Sequence, residues 1–148
     1  MTLYFAYGAN MDPVHMAERC PAAQHLGVAS LPGHGFGIAA GGYGMVRPDA
    51  GMTVRGVLWR LTPADVAALD DFEGVESGFY RKDFTKVEDR NGAVIDAMIY
   101  RPADESPGRA APGYLERIIE VCRELGFPPE YTAGLEAQRV SQGSDLSL

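Results

Sequence analysis

Four carboxylates fall within seven residues, at Asp70, Asp71, Glu73 and Glu76. They sit at the end of a predicted helix, where the negative end of the dipole disfavours them. A solvated acidic loop and a working site are both open readings of that cluster. Glu73 stands apart because Phe72 precedes it and Gly74-Val75 follow. A carboxyl with apolar or small neighbours is placed to be buried, and burial would raise its pKa and make it an acid or base. The second segment with chemical content is Tyr7-Gly8-Ala9-Asn10-Met11, directly after a predicted strand. A glycine there lets the backbone turn sharply and present successive N–H groups to an anion or a developing oxyanion. Taken alone, the segment reads more simply as a strand-to-helix turn.

The common catalytic kits are missing from the sequence. His15, His25 and His34 are the only histidines, and Cys20 and Cys122 form no Cys-x-x-Cys pair, so zinc-site spacing is absent and no metal or cofactor is expected. There is no Gly-x-Ser-x-Gly elbow and no phosphate-binding Gly-x-x-x-x-Gly-Lys loop. Gly35-Phe36-Gly37-Ile38-Ala39-Ala40 fits the loose dinucleotide pattern, but Gly41, Gly42 and Gly44 follow at once and make a helix there improbable. A glycine-rich loop or a bulged strand pair is the expectation instead. The 148 residues carry a net charge of −7, which disfavours nucleic acid and anionic membrane surfaces as partners. No apolar run approaches the ~18 residues of a membrane span. The start lacks a basic leader region, so the expectation is a cytoplasmic protein with two reduced, buried thiols.

The elements that must position these groups read as α+β in a single domain over 1–148. Leu3 to Tyr7 is a short buried strand. Asp12-Pro13 caps a helix to about Arg19. Gln24 to Ile38 is predicted as two strands turning at Pro32-Gly33. Val54 to Leu61 is a further strand. Thr62-Pro63-Ala64-Asp65 starts a helix to about Asp70. Phe79–Val87 and Ala93–Tyr100 form a hairpin at Asn91-Gly92. Arg101 to Ala111 is a loop. Leu115, Ile118, Ile119, Cys122 and Leu125 mark one face of an amphipathic helix stopped by Gly126. Pro128-Pro129 restarts a helix to about Arg139, and 140–148 is predicted to be a loose tail.

Together, Tyr4-Phe5-Ala6-Tyr7-Gly8-Ala9-Asn10-Met11 and Leu69-Asp70…Glu73-Gly74-Val75…Ser77-Gly78-Phe79-Tyr80 resemble the γ-glutamylcyclotransferase family, which shares its fold with the AIG2-like proteins. The resemblance runs from about Leu3 to Tyr131. It implies a small mixed β-barrel of about six or seven strands, with helices packed around it and a pocket at one mouth. It also implies that Glu73 is the catalytic acid/base. Tyr7, Gly8, Ala9 and Asn10 would form the substrate cavity, with Tyr4, Phe5 and Ala6 leading in and Tyr100 and Tyr114 as pocket tyrosines. Tyr43, Tyr80 and Tyr131 are expected to be structural. Ala9 stands where the family has serine, so a hydroxyl contact is lost while the backbone N–H is kept. The implied reaction converts a γ-glutamyl amino acid or peptide to 5-oxoproline and a free amino acid. The same cyclisation of γ-glutamyl amines, and a non-catalytic binding module on the same barrel, are the alternatives. The implied partner is the small-molecule substrate, with a homodimer left open.

Overall fold

β1 (Thr2–Ala6) lies at the seam of a closed five-strand barrel. The computed structural model describes the backbone of residues 1–146 and the side chains of residues 1–142. On one side β1 runs antiparallel to β3 (Gly44–Leu61), with Tyr4 opposite Trp59. On the other it meets β5 (Val94–Pro102) in parallel at Met98, which closes the order β1-β3-β2-β4-β5. β2 (Gln24–Ile38) pairs with β3, and β4 (Tyr80–Asp89) pairs with both β2 and β5.

Side-chain alternation sorts these strands into two cores. Phe5, Leu31, Val46, Val54, Leu58, Val87, Ala97 and Ile99 pack together with no helical partner, filling the barrel. Tyr4, Ala6, Val57, Trp59, Leu61, Met98 and Tyr100 face the other way and meet the helices through Met16, Leu69, Ile118, Ile119 and Leu135. Cys20 and Cys122 are free and buried, and burial pushes their thiols up to about 11 and about 12.

The α+β barrel is as expected, but it has five strands rather than six or seven. The predicted turn at Pro32-Gly33 is a bulge within one 15-residue strand. Gly33 takes φ +71°, and the pairing steps from Pro32↔Thr53 to His34↔Pro48, so residues 49–52 bulge on the facing strand. The glycine-rich run 35–44 is likewise a strand pair turning at residues 39–43.

The helix starts follow their caps. Asp12 accepts from the Val14 N–H at 3.0 Å and opens α1 (Pro13–Arg19). Thr62 and Asp65 form a reciprocal capping box that opens α2 (Pro63–Glu73). α2 runs three residues beyond the expected stop at Asp70 because Gly74 supplies a left-handed cap at φ +68°. A side chain at Gly74 would also meet the Phe79 ring at 2.8 Å. α3 (Tyr114–Glu124) packs on α4 (Pro129–Leu146).

The expected loose tail is a correction: α4 continues past Arg139 to Leu146, and residues 147–148 lie outside the described residues. Two glutamines hold it down. Gln138 donates to the Phe36 carbonyl at 3.2 Å, and Gln142 accepts from the Ala110 N–H at 2.8 Å. Among the described residues no helix is long and apolar enough to cross a membrane.

Candidate active site

A cavity of about 880 Å³ opens where β1 ends and α2 ends. β1 delivers Tyr4 and Tyr7, followed by a 3-10 turn at Ala9–Met11 that brings Gly8, Ala9 and Asn10 into the wall. The Met11 and Asp12 N–H groups close that turn on the Gly8 and Ala9 carbonyls. Those of Ala9 and Asn10 precede the first turn bond and are left without an intrahelical acceptor.

Glu73, the last residue of α2, reaches the same cavity. Burial pushes its carboxyl up to about 7, with the Arg19 charge pulling the other way. Its charge is close enough to raise the hydroxyl pKa of Tyr4, Tyr7, Tyr80, Tyr100 and Tyr114, although burial is the larger cause in each. Those tyrosines therefore stay protonated at any working pH. The other carboxylates of the acidic cluster have different places. Asp70 accepts from Tyr100 Oη at 2.6 Å and pairs with Lys82 at 2.8 Å. Asp71 and Glu76 are exposed and outside the cavity wall. Only Glu73 of the four can meet a ligand.

The tyrosines divide by where their protons go. Tyr7 Oη donates to the Tyr100 carbonyl at 2.7 Å, and Tyr100 donates to Asp70. Tyr4 Oη instead accepts from Asn10 Nδ2 at 3.0 Å, and Tyr114 Oη accepts from the Gly44 N–H at 3.0 Å. A hydroxyl that accepts from the protein keeps its own proton for a ligand. The hydroxyl protons of Tyr4 and Tyr114 are thus left unengaged by these bonds, while those of Tyr7 and Tyr100 are held by the Tyr100 carbonyl and Asp70. Asn10 is the junction of the site: its carbonyl accepts from Trp59 Nε1 at 3.0 Å and its side-chain oxygen from Arg19.

Of the expected residues, Glu73, Tyr4, Tyr7, Gly8, Ala9, Asn10, Tyr100 and Tyr114 share the cavity wall. Phe5 and Ala6 do not. They are 0% and 1% exposed, Phe5 packed inside the barrel and Ala6 in the core against the helices. Tyr131 is structural as expected, its hydroxyl donating to the Arg55 carbonyl at 3.5 Å. Tyr43 and Tyr80 are corrections, since both line the cavity, and Tyr43 packs edge-on to Tyr114 with ring centres 5.3 Å apart. Arg19, His15 and Phe72 are further wall residues that the sequence reading missed. Tyr80 closes the Ser77–Tyr80 segment that follows Glu73-Gly74-Val75, and that position is its signal in the sequence. Arg19 gave none, because it enters only once α1 folds back on α2.

A closed barrel with one buried carboxyl and several tyrosine hydroxyls in the cavity at its mouth is the arrangement the chain presents. The comparisons with known proteins give its class. Residues 4–116 match the family described as "Gamma-glutamyl cyclotransferase, AIG2-like". The mouse gamma-glutamylcyclotransferase is 32% identical over 145 residues, 91% of this chain and 77% of the relative. The human gamma-glutamylcyclotransferase is 31% identical over the same shares. A solved gamma-glutamyl cyclotransferase structure superposes with a TM-score of 0.84 at 28% identity, covering 92% of this chain and 86% of the other. The chain belongs to the γ-glutamyl cyclotransferase, AIG2-like family and is an enzyme of that type.

Proposed function

We propose that the enzyme cyclises a γ-glutamyl amino acid or peptide to 5-oxoproline, releasing the free amino acid, with Glu73 as the acid/base. The observation that carries this reading is the Glu73 carboxyl placed in the cavity wall among the tyrosines and pushed by burial up to about 7, close to the pH at which one group both accepts and returns a proton efficiently. The substrate brings its own nucleophile, so no serine or cysteine is required of the protein.

Glu73 as carboxylate takes a proton from the α-ammonium, and the freed amine attacks the γ-carbonyl carbon. The new C–N bond closes a five-membered ring, and the carbonyl oxygen becomes an oxyanion facing the Ala9 and Asn10 N–H groups. Glu73 as acid protonates the leaving nitrogen, and the old C–N bond breaks. Two protons pass from the α-nitrogen to the leaving nitrogen overall, and one carboxyl carries them in turn. Holding the chain folded for ring closure draws on the ~7–11 kcal/mol available from orientation. Ala9 serves through its N–H alone, so replacing the family's serine leaves that role intact.

The test is 5-oxoproline release from γ-glutamyl-alanine, glutathione and ε-(γ-glutamyl)-lysine. Turnover of at least one of the first two supports the reading, and turnover of none overturns it. Two further outcomes follow from the same geometry. Tyr114→Phe loses a ligand donor and lowers kcat/KM about tenfold, the worth of one hydrogen bond. Tyr100→Phe loses the bond to Asp70 and shows mainly as ~1 kcal/mol of stability. Equal kinetic losses in both variants would contradict the division of tyrosines. Dialysis against a strong chelator leaves activity unchanged, since no cluster of possible metal ligands exists among the described residues. Loss restored by one divalent ion would count against the mechanism.

A further inference from the structure

The cyclisation accounts for the depth of the cavity and leaves one side of its rim without a role. There α1 presents two basic side chains at i and i+4, His15 and Arg19. The Arg19 guanidinium carbon lies 3.5 Å from the centre of the Phe72 ring, and one of its nitrogens donates to Asn10. Arg81, Arg101, Arg117 and Arg139 each hold a carboxylate within salt-bridge distance. Arg19, among the described residues, holds none and keeps most of its five donors. His15 Nδ1 is buried with no hydrogen-bond partner, while its Nε2 stands 3.8 Å from Asp12. A buried polar atom without a partner is costly and points to a ligand that completes it. The rim's acidic side chain, Asp104, accepts from the Ser106 N–H at 3.0 Å.

We propose that this face of α1 binds the α-carboxylate of the amino acid that leaves, so that Arg19 and His15 select γ-glutamyl amino acids over γ-glutamyl amines. The inference rests on the proposed cyclisation at Glu73. Tyr4, Tyr7 and Tyr100 are nearly inaccessible, whereas Phe72 is 53% exposed. The glutamyl half folds against the deep tyrosines and the Gly8–Asn10 turn, and the departing half lies outward, over α1. Its carboxylate then meets a planar guanidinium whose fork suits two parallel bonds. Phe72 beneath the guanidinium fixes its plane and screens one face from water.

The experiment compares γ-glutamyl-alanine with its C-terminal carboxamide, equal in shape and lacking the charge, by 5-oxoproline release. The wild type is expected to favour the acid by about tenfold or more in kcat/KM, the scale of a charge-assisted bond. Arg19→Gln should lose that preference, falling steeply on the acid and far less on the carboxamide, while Arg19→Lys keeps part of it. His15→Gln leaves the Asn10 contact intact and should erode the preference in the same direction, which keeps the test open if Arg19→Gln folds poorly. A wild type without preference overturns the subsite while leaving the cyclisation standing. So do variants that lose both substrates equally, since Arg19 would then serve the shared glutamyl half. A wild type that turns over neither compound, and not glutathione either, overturns the cyclisation itself.

Discussion

Glu73→Gln is expected to lower 5-oxoproline release by about 10³–10⁴-fold, the upper end for a general acid–base group, because one carboxyl serves two transfers. Glutamine keeps the size and most hydrogen bonds of the side chain but cannot accept the ammonium proton. Affinity for a non-cyclisable γ-glutamyl analogue should survive, since Tyr4, Tyr114 and the turn amides are untouched. Stability should rise, with a definite pH dependence. The folded protein holds the Glu73 proton up to about 7, whereas the unfolded chain releases it near 4.5. The folded state therefore binds more protons across that window, and wild-type stability falls as pH rises through it. The variant's gain in melting temperature should grow from pH 4.5 to 7 and stay level above. A variant that keeps more than about a tenth of wild-type turnover would show that Glu73 is not the shuttle. No other carboxylate of the acidic cluster faces the cavity to replace it.

Gly56→Ala should destabilise the fold strongly for the addition of a single methyl. A Cβ at Gly56 would lie 2.2 Å from the Ala6 carbonyl oxygen and 2.9 Å from the Phe5 ring. The first of these is rigid backbone at the β1–β3 pairing, and it cannot yield without separating the strands. Overpacking of this kind costs ~1–3 kcal/mol or more, or roughly 3–10 °C in melting temperature at this chain length. Ala6 pairs with Val57 one residue before Tyr7, so the displacement carries into the Gly8 turn. Activity at a temperature where the variant is still folded should also fall. A melting temperature within a degree of wild type would contradict the close approach.

The functional residues legible in the sequence were those whose local chemistry was unusual. Glu73 stood out as an acid among apolar neighbours at a helix end, and Gly8 as a glycine ending a buried strand. The capping residues Asp12, Thr62 and Asp65 set helix starts for reasons contained in four consecutive residues. Where reading ended, the cause was long range. The Pro32-Gly33 signal is the same for a turn and for a bulge, and only the facing β3 decides between them. Tyr4 and Tyr100 are indistinguishable in sequence as hydroxyl donors, yet Asn10 donates to one and Asp70 accepts from the other. The polar residues after Arg139 read as a tail because Gln138 and Gln142 find their partners 102 and 32 residues back along the chain.

Whether Glu73 moves the protons of the cyclisation is decided by titrating that carboxyl beside the reaction. Carbon-13 labelling of glutamate, with Glu73→Gln identifying the signal, gives the carboxyl pKa in the free enzyme. The pH profile of kcat/KM for γ-glutamyl-alanine gives the pKa of the base the reaction needs. The carboxyl is expected to titrate at about 7, with the acidic limb of the profile falling at the same value. A Glu73 signal titrating near the ordinary 4.5, with the acidic limb elsewhere, would contradict it.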